Sequence, residues 1–178
     1  MGSKGKLLWV LLGTCMCVIV AAEELRGKEL IKDVCKTRGN CELCLKVLSS
    51  DPGSPEASLT DLAIITLQAA AENASCILVD AKSMIDDPSL EPAIQQGLAD
   101  CKENLLDAEM QIQDTIASVL SNDGRDALLW MKAALAAIDT CDASIPGDDD
   151  ILSRRSVTFR QLCNIAVAIN KRMMGVES

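Results

Sequence analysis

The sequence predicts an all-helical, single-domain protein, and three features of its 178 residues lead to this prediction. Nearly half of the residues are hydrophobic, yet only one Phe, two Trp and no Tyr occur. The core must therefore consist mainly of aliphatic side chains, which helices accept readily. Four long stretches repeat apolar residues at intervals of three and four, the period of an α-helix. No stretch alternates apolar and polar residues as a half-buried strand would.

The N-terminal residues 1–22 have the pattern of a signal peptide. Lys4 and Lys6 precede an apolar run over 7–20, and small residues follow that run. The run is too short for a comfortable membrane span. We therefore predict a secreted protein whose mature domain covers 23–178, with no membrane attachment after cleavage and with cysteines exposed to an oxidising environment.

The charge of the mature chain limits its partners. The whole sequence carries 17 basic and 26 acidic residues, a net charge of −9. Removal of Lys4 and Lys6 with the signal peptide leaves 15 basic residues, and the net charge becomes −11. Nucleic acids and anionic membranes repel such a protein, so neither is a predicted partner.

The mature chain begins with two short helices, over 24–36 and 41–48, which predict a helical hairpin. Cys35 and Cys44 flank its turn, so a bridge between them would stabilise a unit too small for a core of its own. Cys41 and Cys44 also form a C-x-x-C sequence. Redox chemistry is the less favoured interpretation, because that motif is typical of a strand-to-helix junction.

The first long helix is predicted over 58–85. Its apolar seam consists of Ile64, Leu67, Ala71, Ala74, Leu78, Ala81 and Ile85. Ser58 with Asp61 indicates its start, and Asp86-Asp87-Pro88 indicates its end. Asn73 begins an Asn-Ala-Ser sequon and does not fall on the seam, so we predict a glycosylation site there.

The next two helices form a pair joined by a short turn at 121–124. The first has Leu98, Cys101, Leu105, Ala108, Ile112, Thr115 and Val119 on one face, and the second has Ala127, Met131, Ala134, Ile138 and Cys141. A turn this short predicts antiparallel neighbours, with both cysteines at the same end. Glu103, Asp107 and Asp114 fall opposite the core face of the first helix, with Met110 among them, and we call these three carboxylates the acidic stripe.

The last helix is predicted over 156–174. Its apolar face consists of Phe159, Leu162, Ala166, Ile169 and Met173. Four long amphipathic helices with short links predict an up-down-up-down four-helix bundle over about 57–174, with the hairpin over about 23–54 appended. The loop before the last helix contains Asp148, Asp149 and Asp150, but three consecutive Asp residues lack the ligand spacing of a calcium site.

The residue types argue against catalysis. The chain contains no histidine, which excludes Ser-His and Cys-His nucleophiles and His-ligated zinc. A glycine-rich phosphate loop is absent, and the acidic stripe lies on an exposed helix face rather than in a cleft. The sequence thus predicts no enzyme and no cofactor or metal, but a binding module.

An ordered set of short motifs covers nearly all of the mature chain. The motifs are Cys35-Lys36-Thr37, Leu43-Cys44-Leu45, Leu48-Ser49-Ser50-Asp51-Pro52, Leu98-Ala99-Asp100-Cys101, Asp107-Ala108, Ala133-Ala134-Leu135, Asp139-Thr140-Cys141 and Leu162-Cys163-Asn164-Ile165-Ala166. Each motif alone is weak, but the ordered set resembles the plant pectin methylesterase inhibitor and invertase inhibitor family. The resemblance implies a disulfide-stapled bundle with bridges Cys35–Cys44 and Cys101–Cys141. It also implies a secreted protein of the apoplast and cell wall that inhibits a carbohydrate-active enzyme in a 1:1 complex.

The resemblance favours the pectin methylesterase inhibitor branch. Invertase inhibitors often carry Pro-Lys-Phe in the turn before the fourth paired cysteine, and this motif is missing from 121–125. Thr140, Glu103 and Asp107 match the esterase inhibitors, whereas Met110 occupies a position that is often acidic there. The predicted partner-binding residues are Glu103, Asp107, Asp123 and Thr140. The alternatives are an inhibitor of acid invertase, a non-inhibitory member, and a free-standing copy of the pro-region that precedes some pectin methylesterases.

Three cysteines have no partner in this scheme. Cys163 corresponds to an unpaired position in the esterase-inhibitor branch, and we interpret both Cys76 and Cys163 as small buried apolar residues. Cys41 is an odd thiol in a secreted chain and could join two copies. The predicted state is a monomer, with a disulfide-linked dimer through Cys41 as the alternative.

Overall fold

The computed structural model describes residues 25–36, 40–147 and 152–176, and the regular elements within them are all helical. They are α1 (Gly27–Cys35), α2 (Cys41–Ser50), a 3₁₀ turn (Ser54–Glu56), α3 (Leu59–Ile85), α4 (Pro92–Leu120), α5 (Gly124–Ser144) and α6 (Ser153–Met173). The predicted all-α fold class is therefore confirmed. The predicted signal peptide at 1–22 and the acidic run at 148–150 lie outside the described residues.

Helices α3 to α6 form a bundle in which each helix packs against two others of the four. The packed pairs are α3 with α4, α4 with α5, α5 with α6, and α6 with α3. Asn170, near the end of α6, donates a hydrogen bond of 2.7 Å to the carbonyl of Gly124 at the start of α5. Arg155, near the start of α6, lies 2.8 Å from Asp80 near the end of α3. These contacts make α6 antiparallel to both neighbours.

The core is aliphatic, as the composition predicts. All the predicted core positions of α4 and α5 are buried. Of the predicted seam of α3, Leu67, Ala74, Leu78 and Ala81 are buried, and Ile64, Ala71 and Ile85 are half-buried and pack against the core. Five residues outside the predicted seam are also buried: Leu62, Ala63, Thr66, Ala70 and Ile77. The reason is that α3 packs against α2 as well as α4 and α6, so its buried face is wider than a single seam.

Helix α3 begins at the predicted signal. The Ser58 hydroxyl accepts a hydrogen bond of 3.3 Å from the Asp61 amide, and the Asp61 carboxylate accepts one of 2.9 Å from the Ser58 amide. This capping box satisfies two backbone donors, and its hydrogen bonds lower the pKa of Asp61. By length and composition alone, α3 is the one helix among the described residues that could cross a membrane. In the structure it packs in the bundle, and a core helix meets the same criterion of length and apolar composition.

Helices α1 and α2 form the predicted hairpin, which is closed by the Cys35–Cys44 disulfide. The hairpin packs on the 3₁₀ turn through Gly27, whose φ of +55° favours glycine. A Cβ atom at Gly27 would lie only 2.1 Å from the carbonyl oxygen of Pro55. Only glycine therefore allows α1 to approach this closely.

An ion pair between Asp33 and Arg172 joins the hairpin to the end of α6, with a Nη2 to Oδ2 distance of 2.6 Å. The hydrogen bond from Arg172 holds the pKa of Asp33 below its ordinary value of 3.8. A carboxyl whose pKa is lower in the folded state stabilises the fold above its unfolded pKa, and this contribution is lost as the pH falls through the folded pKa.

We therefore expect Asp33→Asn to lower the melting temperature slightly at pH 6, and to leave it equal to that of the wild type in strong acid. The loss at pH 6 should stay below about 1 kcal/mol, because solvent screens a partly exposed pair. Thermal unfolding followed by circular dichroism across this pH range measures the difference. The exposed Asp86→Asn is the matched control, and an equal effect there would contradict the assignment.

Candidate partner-binding surface

The acidic stripe lies on the solvent side of α4, as its spacing predicts. Glu103 and Asp107 are exposed, Asp114 is half-buried, and the thioether of Met110 interrupts the row of carboxylates. The Glu103 carboxylate lies 3.0 Å from the ammonium group of Lys102, and this pair is solvent-exposed on the glutamate side. Exposed carboxylates on one rigid helix offer a partner a row of hydrogen-bond acceptors.

Thr140 lies on the exposed side of α5, at the same end of the bundle as Glu103. The Cys101–Cys141 disulfide sets this register, since it joins α4 to α5 with Cα atoms 3.9 Å apart. The Thr140 hydroxyl donates a hydrogen bond of 2.9 Å to a backbone carbonyl one turn earlier. We call the outer side of α4 and α5 the α4–α5 surface. The structure brings three of the four predicted partner-binding residues, Glu103, Asp107 and Thr140, to one end of this surface.

Asp123, the fourth predicted residue, lies in the turn at the opposite end of this surface. It is sixteen residues beyond Asp107 along the chain, or roughly 24 Å at the rise of a helix. Its carboxylate accepts a hydrogen bond of 3.1 Å from the Asp126 amide and caps the start of α5. Asp123 therefore has a local structural role, and the structure does not group it with the other three.

Leu129 and Trp130 are surface residues that the sequence reasoning missed. They lie on α5 and are 61% and 38% exposed. The signal was present in the sequence, because Lys132 is the only charged residue between Ala127 and Ile138. A helix segment with a single charged residue presents apolar side chains on more than its core face.

The structure contains the two disulfides that the family resemblance implies, Cys35–Cys44 and Cys101–Cys141. The Cys35–Cys44 bridge ties α1 to α2, and the Cys101–Cys141 bridge ties α4 to α5 at the bundle end opposite the 121–124 turn. Each bridge therefore closes a junction between consecutive helices.

Two of the three free cysteines in the described part of the chain are exposed. Cys163 is buried as predicted, and burial raises the pKa of its thiol to about 12. The interpretation of Cys76 as buried is wrong, because Ile77 and Leu78 turn to the core and leave Cys76 on the outer side of α3. Cys41 is exposed at the start of α2, and a dimer through it stays a prediction.

The predicted glycosylation site, Asn73, is half-buried in the middle of α3. Its Oδ1 atom is shielded from solvent and has no hydrogen-bond partner among the described residues. The Ser75 hydroxyl of the same sequon donates to Glu109 on α4. A glycan would attach to the Nδ2 atom of this half-buried side chain, so glycosylation stays a prediction, to be tested by the mass of the secreted protein.

Comparison with known protein families shows to which family the chain is related. A family model described as plant invertase/pectin methylesterase inhibitor matches residues 29–169, a range that begins in α1, ends about one turn before the end of α6 and includes both disulfides. The chain belongs to this family. Because the family consists of inhibitor proteins, this member is not an enzyme.

Relatives from both branches of the family are similar to the chain. A pectinesterase inhibitor of Actinidia deliciosa is 28% identical over 152 residues, which cover 82% of this chain and 80% of the relative. A putative invertase inhibitor of Platanus acerifolia is 30% identical over 135 residues, which cover 74% of this chain and 75% of the relative. Identities this similar do not separate the two kinds of target.

Solved structures support the fold assignment. The crystal structure of mutant form A of a pectin methylesterase inhibitor from Arabidopsis matches with a TM-score of 0.67 and 26% identity, covering 79% of this chain and 95% of that one. A second inhibitor structure from Arabidopsis thaliana matches with a TM-score of 0.60 and 26% identity, covering 82% and 97%. The described helices thus have the fold of this inhibitor family.

Proposed function

We propose that the chain is a secreted inhibitor of pectin methylesterase that acts in the plant cell wall through a 1:1 complex covering the substrate cleft. The observation that carries the proposal is the grouping of Glu103, Asp107 and Thr140 on the α4–α5 surface. These three residues match the esterase-inhibitor branch in the sequence. Asp123 would join the interface only if the enzyme covers the full length of α5.

Secretion is supported by the composition of residues 1–22 and by the disulfides. Two bridges that persist in the mature fold are typical of proteins exposed to an oxidising compartment. The same compartment contains the pectin on which the target enzyme acts. The predicted mature chain begins at Glu23, which N-terminal sequencing of the secreted protein would test.

Inhibition of acid invertase is the second candidate, because putative invertase inhibitors of Platanus are as similar to the chain as the pectinesterase inhibitors are. The turn that would carry Pro-Lys-Phe in that branch instead has Asp123 capping α5 and Gly124 against Met174. A Cβ atom at Gly124 would lie 2.5 Å from the Met174 side chain. The Asp123 cap gives this turn a structural role at the start of α5.

The two candidates are separated by titrating the purified mature chain into a plant pectin methylesterase and, separately, into an acid invertase. Acid release from methylated pectin and hydrolysis of sucrose measure the residual activities. We expect the esterase to lose activity linearly up to one equivalent of inhibitor and the invertase to stay active. Inhibition of the invertase alone would overturn the proposal, and inhibition of neither would identify a non-inhibitory member.

A further inference from the structure

We propose that Leu129 and Trp130 form the apolar centre of an enzyme-binding surface whose edge is the acidic stripe. The partner would present an apolar spot with lysine or arginine side chains beside it. This inference rests on the proposed function, and it adds the residues that contribute most of the binding energy.

The outer side of α5 is apolar. Leu129 and Ala136 are exposed and Ala133 is half-buried, while the core side of the same helix is fully buried. Lys132 is the only charged residue in this part of the helix. An outer face of this composition is unusual for a solvated helix, which normally carries charged side chains there. The face is therefore suited to contact with another molecule.

The register of the bundle places this apolar face beside the acidic stripe. Counting outward from the Cys101–Cys141 bridge, Ala136 lies level with Leu106, and Leu129 lies level with Gln113. At about 100° per residue, Leu129, Ala136 and Thr140 share the outer side of α5. They form a band roughly 16 Å long at 1.5 Å per residue. Trp130 lies at the edge of this band toward α4, which explains its intermediate exposure.

Charge selects the kind of partner. The sequence carries a net charge of −9, and the carboxylates of the acidic stripe concentrate part of this charge directly beside the apolar band. A second copy bound through the same face would bring two acidic stripes together, and an anionic membrane would meet the same repulsion. A different protein with cationic side chains around an apolar spot is complementary to this surface.

The size and rigidity of the surface suit a specific complex. Two adjacent helices about 30 Å long and about 20 Å wide present roughly 600 Å², close to the ~800 Å² per partner of a standard interface. Trp130 is 38% exposed, so more than half of its surface is already covered by the protein. A pre-ordered Trp loses little side-chain freedom on binding, and Trp is enriched among residues that dominate binding energy.

The test compares Leu129→Ser and Trp130→Ala with Val79→Ser in inhibition of pectin methylesterase. Val79 is 64% exposed on α3, which packs against α4 and α6 rather than α5, so it matches Leu129 in exposure but lies away from the proposed surface. We expect Leu129→Ser to raise the inhibition constant about tenfold and Trp130→Ala about thirtyfold. Val79→Ser should change it less than twofold.

If Trp130→Ala impairs folding, Leu129→Ser still tests whether this face binds the enzyme. An exposed Leu contributes little to stability, so the melting temperature of the Leu129→Ser variant should equal that of the wild type. An unchanged inhibition constant for Leu129→Ser would overturn this inference while leaving the proposed function intact. A wild-type chain that inhibits no esterase would overturn both. Sedimentation of the wild type alone should give a monomer, and a dimer abolished by Leu129→Ser would assign the face to a second copy instead.

Discussion

Replacing Cys101 and Cys141 together by Ala is expected to lower the free energy of unfolding by about 4 kcal/mol. The bridge spans 40 residues, and opening a loop of this length returns a large conformational entropy to the unfolded chain. Domains of this size are stable by only about 5–15 kcal/mol. Differential scanning calorimetry should therefore show a melting temperature roughly 8–16 °C lower.

The control for this double variant is Cys76→Ala, which removes an exposed thiol from α3. Its melting temperature should stay within about 2 °C of the wild type, because exposed substitutions usually change stability by less than 0.5 kcal/mol. Cys163→Ala should fall between the two, since it leaves a small cavity in the core. Equal losses in all three variants would mean that the central bridge does not dominate the stability of the bundle.

Reversing two charges of the acidic stripe is expected to weaken inhibition of pectin methylesterase about a hundredfold. Glu103→Lys with Asp107→Lys replaces two acceptors by cations at the end of the α4–α5 surface where Thr140 also lies. Like charges across an interface are costly, and a hundredfold loss corresponds to about 2.7 kcal/mol. Titration of the enzyme with wild type and variant gives the two inhibition constants.

Glu72→Lys with Asp86→Lys is the matched control, because both residues are exposed on or beside α3 and the net charge changes by the same amount. An equal loss in the control would indicate a general effect of net charge on association rather than a contact at the stripe. Unchanged inhibition in the stripe variant would place the interface on another face of the bundle. Both variants should melt near the wild-type temperature.

The helices and their core faces were largely predictable, because they depend on spacing within one segment. The core face from Leu98 to Val119 is buried at each predicted position, and Ser58 with Asp61 caps α3 as the sequence indicates. The seam of α3 was predicted less well. Ile64 is half-buried and Ile77 buried because α3 contacts three other helices, and the identity of those neighbours is not encoded in its own periodicity.

The sequence by itself determined the fold class, the positions of the helices, the family resemblance and the stripe on α4, since each follows from residue types at short range. Only the tertiary structure decided that Asp123 caps a helix roughly 24 Å from Asp107, that Cys76 is exposed, and that Leu129 and Trp130 remain uncovered. The physical reason is that exposure depends on which residues, distant in the chain, cover a given face. A periodic pattern specifies that a face is apolar, but the arrangement of the bundle determines whether that face meets the core or is left for a partner.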